Sequence, residues 1–235
     1  MATPDSEKRR AAQAALELVQ DGMTLGLGTG STATHFVELL AERMRQGLKV
    51  RGIPTSDKTR QLAQRLGVPL ITFDDTTTLD LAIDGADEVD ASFQIIKGGG
   101  GALLRERIVA SASKLFVVLA DASKKVPVLG AFPLPVEVVP MAWPLLAKRL
   151  EALGCRPTLR RSPKGEPTPT DEGHYILDCA FGRIEQPAAL ATEISALPGV
   201  VDVGLFINYP DIVIFGVGDA VERHDIVRIG PRRSP

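Results

Sequence analysis

Between Asp84 and Glu106 the chain gathers the groups that proton transfer beside a carbonyl requires. Asp84 and Asp87 stand three residues apart at the end of an apolar run, Leu79 to Ile83. Lys97 opens a run of four glycines, Gly98 to Gly101, and Glu106 follows in the first turns of a predicted helix. Carboxylates can take and return protons, a lysine can hold developing negative charge, and glycine lets backbone N–H groups approach a ligand. Each residue alone has an ordinary explanation. Asp is common in turns after strands, a single lysine is usually solvated, and a glutamate sits favourably near a helix N-terminus. Four consecutive glycines argue against all three explanations together, because they cost backbone entropy and a tight turn needs only one residue of positive φ. Close approach of the backbone to a ligand accounts for them better.

A second glycine loop lies upstream. Thr24 to Leu27 reads as a short buried strand; Gly26-Leu27-Gly28-Thr29-Gly30-Ser31-Thr32 follows, then a helix from about Ala33 to Arg45. Strand, loop and helix N-terminus together make an anion site, since free N–H groups and the helix dipole face the incoming charge. A Walker A loop would need a lysine that is missing here. A dinucleotide fingerprint would need glycine where Ser31 stands and an acid after the next strand, where Pro54-Thr55-Ser56 stands instead. The hydroxyls of Thr29, Ser31 and Thr32 suit a simple phosphomonoester. On the loop alone, a tight turn that binds nothing has equal weight. Ser56 reads as a helix N-cap before a ligand contact. Lys124 follows a later strand, but the adjacent Lys125 makes it a weaker candidate.

The elements that must position these residues alternate along the chain. Thr3-Pro4 starts a helix whose apolar spacing runs to Asp21-Gly22. Further helices are predicted at about 57–66 and 102–112, and apolar strands at 24–27, 50–53, 69–73, 79–83 and 115–120. Alternating strands and helices of nearly continuous apolar character predict an α/β fold, a Rossmann-like parallel sheet with helices on both faces. Ligands in such sheets bind beyond the C-terminal strand ends, where the first glycine loop, Asp84, Lys97 and Lys124 all fall. Past Gly130 the order changes to β-α-β-β-α-β, that of a smaller ferredoxin-like α+β domain. The expected division is a catalytic domain of residues 1–130 and 206–235 and a small domain of residues 131–205. A hairpin loop at 162–169 reads as mobile from its Pro and Gly content, Ile212 to Val217 returns to the first sheet, and the tail from Gly230 is expected to fray.

Composition narrows the partners. In 235 residues the net charge is −2, which implies no general attraction to nucleic acid. No apolar run approaches a membrane span, and Met1 to Arg10 does not read as a signal peptide. Two cysteines, Cys155 and Cys179, could pair, but so few in a chain of this size more often mean a reducing cytoplasm. His35, His174 and His224 are scattered, so no structural metal is expected. His35 reads as structural or surface, His174 has no assigned role, and Trp143 reads as core.

These motifs resemble the A type of ribose-5-phosphate isomerase over nearly the whole chain. The resemblance is carried by Gly28-Thr29-Gly30-Ser31-Thr32, Thr55-Ser56, Asp84-Gly85-Ala86-Asp87-Glu88, Lys97-Gly98-Gly99-Gly100-Gly101-Ala102, Arg105-Glu106, and Asp121 with Ser123-Lys124. It continues through Phe132-Pro133-Leu134-Pro135-Val136-Glu137-Val138 and Gly199-Val200-Val201 with Gly204-Leu205-Phe206. It implies a cofactor-free aldose–ketose isomerase that interconverts ribose 5-phosphate and ribulose 5-phosphate through a cis-enediol, in the pentose phosphate pathway. It further implies Glu106 as the base, with Asp84, Asp87 and Lys97 around the reacting oxygens. Substrate contacts are implied for Thr29, Gly30, Ser31, Thr32, Asp84, Gly85, Ala86, Asp87, Lys97, Gly98, Gly99, Gly100 and Lys124. The resemblance also implies a small sugar phosphate as partner and a homodimer, sometimes a tetramer, as the assembly. The family often has Thr-Asp-Asn-Gly-Asn where this chain has Thr170-Asp171-Glu172-Gly173-His174 after a Pro-rich insertion.

Two other classes compete. A sugar-phosphate sensor of transcription would need a DNA-binding module, and about twenty residues before the first glycine loop are too few for a helix-turn-helix. An acyl-CoA transferase with a glutamate nucleophile would need room for a nucleotide, which the hydroxyl-rich loop does not favour.

Overall fold

A computed structural model describes residues 2–227. The expected fraying from Gly230 lies outside the described residues. In chain order the elements are α1 (Pro4–Leu16), β1 (Thr24–Leu27), α2 (Ser31–Arg45), β2 (Arg51–Pro54), α3 (Asp57–Arg65), β3 (Leu79–Gly85), β4 (Glu88–Val89), β5 (Ile95–Ile96), α4 (Leu103–Ser111) and β6 (Ser113–Asp121). They continue with β7 (Leu134–Val138), α5 (Trp143–Ala152), β8 (Arg156–Leu159), β9 (Tyr175–Ala180), α6 (Pro187–Ser195), β10 (Val200–Val203), β11 (Leu205–Phe206), β12 (Ile212–Val217) and β13 (Ala220–Asp225). The chain forms two compact units. Residues 2–86, 105–125 and 209–227 make the first; residues 87–104 and 126–208 make the second.

The first unit is built on a six-stranded sheet of order β13-β12-β6-β3-β1-β2. Four of its five pairings are parallel, and β13 closes one edge as an antiparallel hairpin with β12. Alternation along the central strands separates two faces. Leu25, Leu27, Leu81 and Ile83 join Ala11, Ala15, Phe36 and Leu40 in one core, so α1 and α2 lie on that face. On the other face Gly26 and Ala82 leave room for α4: a Cβ on Gly26 would stand 2.4 Å from Val109 Cγ1 and 2.7 Å from Ala82 Cβ. Strand order turns back between β1 and β3, which is the position where such sheets hold ligands.

Most elements fall where the residue pattern puts them, and the differences have physical reasons. Thr3 caps α1 with Pro4 in the first turn, but the helix ends at Leu16; residues 17–22 continue in tight turns, with Leu18 and Val19 donating to the carbonyls of Ala15 and Leu16. The predicted strand at 69–73 is reduced to one parallel bridge, Gly52 with Leu70, because Pro69 cannot donate to a ladder. The hairpin strand β13 is too polar and exposed to have been visible as an apolar run.

The second unit holds a four-stranded antiparallel sheet of order β10-β7-β9-β8 with α5 and α6, the ferredoxin-like arrangement, and a small sheet of order β11-β5-β4. Its core gathers Leu134, Val136, Val138, Leu146, Leu150, Leu177 and Ile194. The compact units cut across the division drawn from chain order. Residues 87–104 belong with the second unit because β5 pairs with β11 and Lys97 N–H donates to Gly204 O at 2.9 Å. The 162–169 loop is closed by its own bonds, Ser162 N–H to Glu166 O and Gly165 N–H to Ser162 O, both 2.8 Å.

Candidate active site

Asp84 is the centre of what the first unit offers. It is 2 % exposed, near the C-terminal end of β3. Its Oδ1 accepts from Thr29 N–H at 3.0 Å and from Gly85 N–H at 2.7 Å. The first glycine loop is drawn onto this carboxylate. Gly28 N–H donates to Ile83 O at 2.9 Å. A Cβ on Gly28 would meet Asp84 Oδ1 at 2.4 Å and Ile83 O at 2.5 Å, so only glycine fits there. Two stretches that the sequence separates by more than fifty residues are thus one site wall, and Gly85 lies beside it, 3.8 Å from Thr29 O by its absent Cβ.

The threonines of the loop divide in role. Thr29 Oγ1 is buried among the hydroxyls of Thr55 (2.7 Å), Ser56 (2.8 Å) and Thr59 (3.2 Å). Its hydroxyl is therefore committed to joining the β1 and β2 loops, and what it offers at the site is main chain. Ser56 is the N-cap of α3, accepting from Thr59 N–H. Gly30, at φ +106°, is the N-cap of α2 and has no side chain with which to cap it. The first N–H groups of α2, at Ser31, Thr32 and Ala33, are left to water or a ligand. Ser31 is exposed at this turn and Thr32 is buried.

Glu106 lies in the first turn of α4 and is 4 % exposed, so it is not a solvated helix-end charge. Next to it Arg105 Nη1 reaches Asp57 Oδ1 at 2.7 Å, and this bond holds the Asp57 carboxyl below the usual carboxylate range. Lys124 is half-buried in a 3-10 turn, Ala122–Lys124, whose cap Asp121 accepts from Ser123 N–H at 3.0 Å.

The second unit carries the remaining candidates. Lys97 is 2 % exposed, which overturns the solvated-lysine explanation, and its Nζ stands 5.8 Å from the centre of the Phe206 ring. Asp87 Oδ2 accepts from Gly99 N–H at 2.7 Å, and a Cβ on Gly99 would collide with Asp87 Oδ1 at 2.5 Å. Gly98 and Gly101 have φ of +104° and +80°. Three of the four glycines therefore have a reason inside the fold, two from backbone conformation and one from the Asp87 carboxylate.

Residue pattern alone did not single out Glu88. Its carboxylate, 4 % exposed, accepts from Gly130 N–H at 2.7 Å and Phe132 N–H at 2.6 Å, tying β4 to the loop before β7. The signal available was its place at the end of the Asp84–Glu88 motif. His174, given no role, sets Nδ1 3.0 Å from Glu137 Oε1. His35 is structural, with Nε2 2.9 Å from Asp5 Oδ1.

The family model of ribose 5-phosphate isomerase A (phosphoriboisomerase A) matches residues 51–220. The chain belongs to the ribose-5-phosphate isomerase A family. Ribose-5-phosphate isomerase A of Parvibaculum lavamentivorans is 50% identical over 218 residues, covering 90% of this chain and 94% of that protein. That of Agrobacterium fabrum is 54% identical over 213 residues, covering 88% and 92%. Among solved structures, a D-ribose-5-phosphate isomerase in complex with phospho-erythronic acid superposes with a TM-score of 0.93 at 37% identity, over 96% of this chain and all of that one. Ribose 5-phosphate isomerase A of Methanocaldococcus jannaschii superposes with a TM-score of 0.90 at 40% identity, over 95% and 100%.

Proposed function

We propose that the chain interconverts D-ribose 5-phosphate and D-ribulose 5-phosphate by moving a proton between C1 and C2 through a cis-enediol. The observation that carries this reading is Glu106, a carboxylate buried in the first turn of the helix into which the Lys97–Gly101 loop runs. A glutamate is ordinarily ionised at neutral pH, and a desolvated one is well suited to take a carbon-bound proton. In this reading Glu106 is the base. Lys97 and the glycine-loop N–H groups stabilise the charge that develops on the carbonyl oxygen. Asp84 and Asp87 serve the oxygens, including ring opening and proton return. The uncapped N-terminus of α2, with Gly30, Ser31 and Thr32, takes the phosphate, and Lys124 adds a cation for it. Gly85, Ala86 and Gly98 to Gly100 complete the substrate contacts.

One fold relative binds phospho-erythronic acid. A phosphorylated sugar acid carries negative charge where an enediolate would, which fits a site built for that intermediate. The reading extends to the non-oxidative pentose phosphate pathway, to a cytoplasmic location and to a homodimer with a tetramer as the alternative. Residues 1–130 and 206–235 are the catalytic domain in the functional sense, since they contain every proposed site residue, and 131–205 is the supporting one. The test is exchange of the C2 proton of ribose 5-phosphate with solvent deuterium, run with EDTA and no added cofactor. Exchange accompanied by ribulose 5-phosphate supports enediol isomerisation. Tight binding without exchange favours a sensor, and neither binding nor exchange removes ribose 5-phosphate as the substrate.

A further inference from the structure

The glycine loop is gripped from behind by a side chain that no part of the proposed mechanism uses. Arg160 directly follows β8, and its main chain is fixed by an N–H bond to Ile176 O at 2.9 Å. Its Nε donates to Asp178 Oδ2 at 2.9 Å and its Nη2 to Asp178 Oδ1, a two-pronged pair across β8 and β9. The remaining arm, Nη1, donates to Gly98 O at 2.9 Å and to Gly99 O at 3.2 Å. One guanidinium thus spends two prongs on its own orientation and the third on the loop carbonyls. A lysine has no such fork.

We propose that Arg160, held by Asp178, is a positioning residue that sets the two peptide planes of the substrate loop. The argument follows from the planar trans peptide, in which C=O and the next N–H point opposite ways. Fixing Gly98 O turns Gly99 N–H away from Arg160, and that N–H donates to Asp87 Oδ2 at 2.7 Å. Fixing Gly99 O turns Gly100 N–H away in the same manner, at an exposed residue of the loop. One cation therefore aims one donor at Asp87 and a second toward the substrate side. A charged donor on each carbonyl also polarises its amide, which strengthens the N–H at the far end. The loop has little stiffness of its own, being four glycines, so an external clamp is what makes its donors point in one direction. The start of the loop is fixed separately, by Lys97 N–H on Gly204 O and Gly204 N–H on Pro135 O. The role toward substrate rests on the proposed isomerase reading; the clamp on the loop does not.

The experiment compares Arg160→Lys, Arg160→Gln and Asp178→Asn with wild type, using Arg161→Gln as control. Arg161 is exposed and donates only to Gly165 O within its hairpin among the bonds described. The readouts are KM and kcat on ribose 5-phosphate, Kd for phospho-erythronic acid, melting temperature, and amide hydrogen exchange at Gly99 and Gly100. Both Arg160 variants are expected to raise KM and Kd about tenfold and to lower kcat/KM by about 10- to 100-fold. Asp178→Asn gives a smaller loss in the same direction, and Arg161→Gln stays within about twofold of wild type. A residue that merely braced the sheet would lower melting temperature while leaving KM and Kd unchanged. Unchanged KM and Kd in a folded Arg160→Lys protein therefore overturn the proposal. Should Arg160→Gln fail to fold, Arg160→Lys carries the same readouts. If wild type itself does not turn over ribose 5-phosphate, the isomerase reading falls. The clamp is then judged by exchange alone: faster exchange at Gly99 in Arg160→Lys supports it, and unchanged exchange refutes it.

Discussion

Gly28→Ala is the sharpest test of how Asp84 is held. The new methyl would stand 2.4 Å from Asp84 Oδ1, 2.5 Å from Asp84 Cγ and 2.5 Å from Ile83 O. To reach even 3.0 Å the loop and the carboxylate must part by about 0.6 Å, in a region packed to crystal-like density. That movement strains two bonds, Thr29 N–H to Asp84 Oδ1 and Gly28 N–H to Ile83 O. The first has a charged acceptor and the second a neutral one, so their joint loss costs about 2–4 kcal/mol. For a chain of this length the melting temperature should fall by roughly 5–15 °C. Because a misplacement near 1 Å at a reacting group costs about 100-fold in rate, kcat/KM should fall by roughly 30- to 100-fold. Gly85→Ala is the built-in comparison. Its Cβ would meet nothing nearer than Thr29 O at 3.8 Å, so its melting temperature should stay within about 2 °C of wild type. The assay is calorimetry on both variants with steady-state kinetics on Gly28→Ala. Wild-type stability and kcat/KM in Gly28→Ala would refute the claim that close approach of this loop fixes Asp84.

Four further outcomes are expected. Glu106→Gln should lower kcat by roughly three powers of ten or more with little change in KM, because it removes proton transfer and leaves binding; near-normal turnover would remove Glu106 as the base. Glu88→Gln replaces one of two acceptor oxygens on Gly130 and Phe132 N–H by an amide donor, and should cost about 1–3 kcal/mol in denaturant unfolding. Burial raises the Asp90 carboxyl above its ordinary range, against the N–H bonds of Gln94 and Ser92. Its ionised form is thus penalised in the fold, a penalty present above the folded pKa and absent at low pH. Asp90→Asn should therefore melt higher than wild type at pH 7, with the advantage fading as pH falls toward about 4; a pH-independent difference would contradict this. The hydrogen bond with Cys155 and burial push the Cys179 thiol up, so iodoacetamide at pH 8 should label it only after unfolding.

Much of the proposed site is named from the sequence because the chemistry it calls for is local. Asp84, Asp87, Lys97 and Glu106 lie within one short stretch, and their residue types alone suggest proton transfer next to stabilised charge. The parallel sheet was legible from its apolar strands, and the ferredoxin-like order from the spacing of β7 to β10. What was hidden is whatever depends on partners distant in sequence. The Thr29 hydroxyl reads as a phosphate ligand until β2 brings Thr55, Ser56 and Thr59 against it. Cys155 and Cys179 read as remote from one another, yet β8 and β9 pair at Pro157 and Cys179, so the two thiols become neighbours. Arg160 reads as one arginine among many, because nothing near it in sequence points to Gly98, Gly99 or Asp178.

The two aspartates show one construction used twice. Asp84 takes a main-chain N–H from Thr29 and is crowded by Gly28; Asp87 takes a main-chain N–H from Gly99 and is crowded by that same glycine. Neither Gly28 nor Gly99 has a positive φ, so neither is there to make a turn. Each is glycine because a carboxylate must come within hydrogen-bond distance of the backbone with nothing between. A carboxylate held on one oxygen by a peptide N–H has a fixed direction for the other, which is what a group that passes protons between neighbouring sugar oxygens needs. Under the proposed isomerisation, the glycine loops therefore serve two purposes. They offer N–H groups to the substrate, and they keep two short, otherwise rotatable acids from turning away from it.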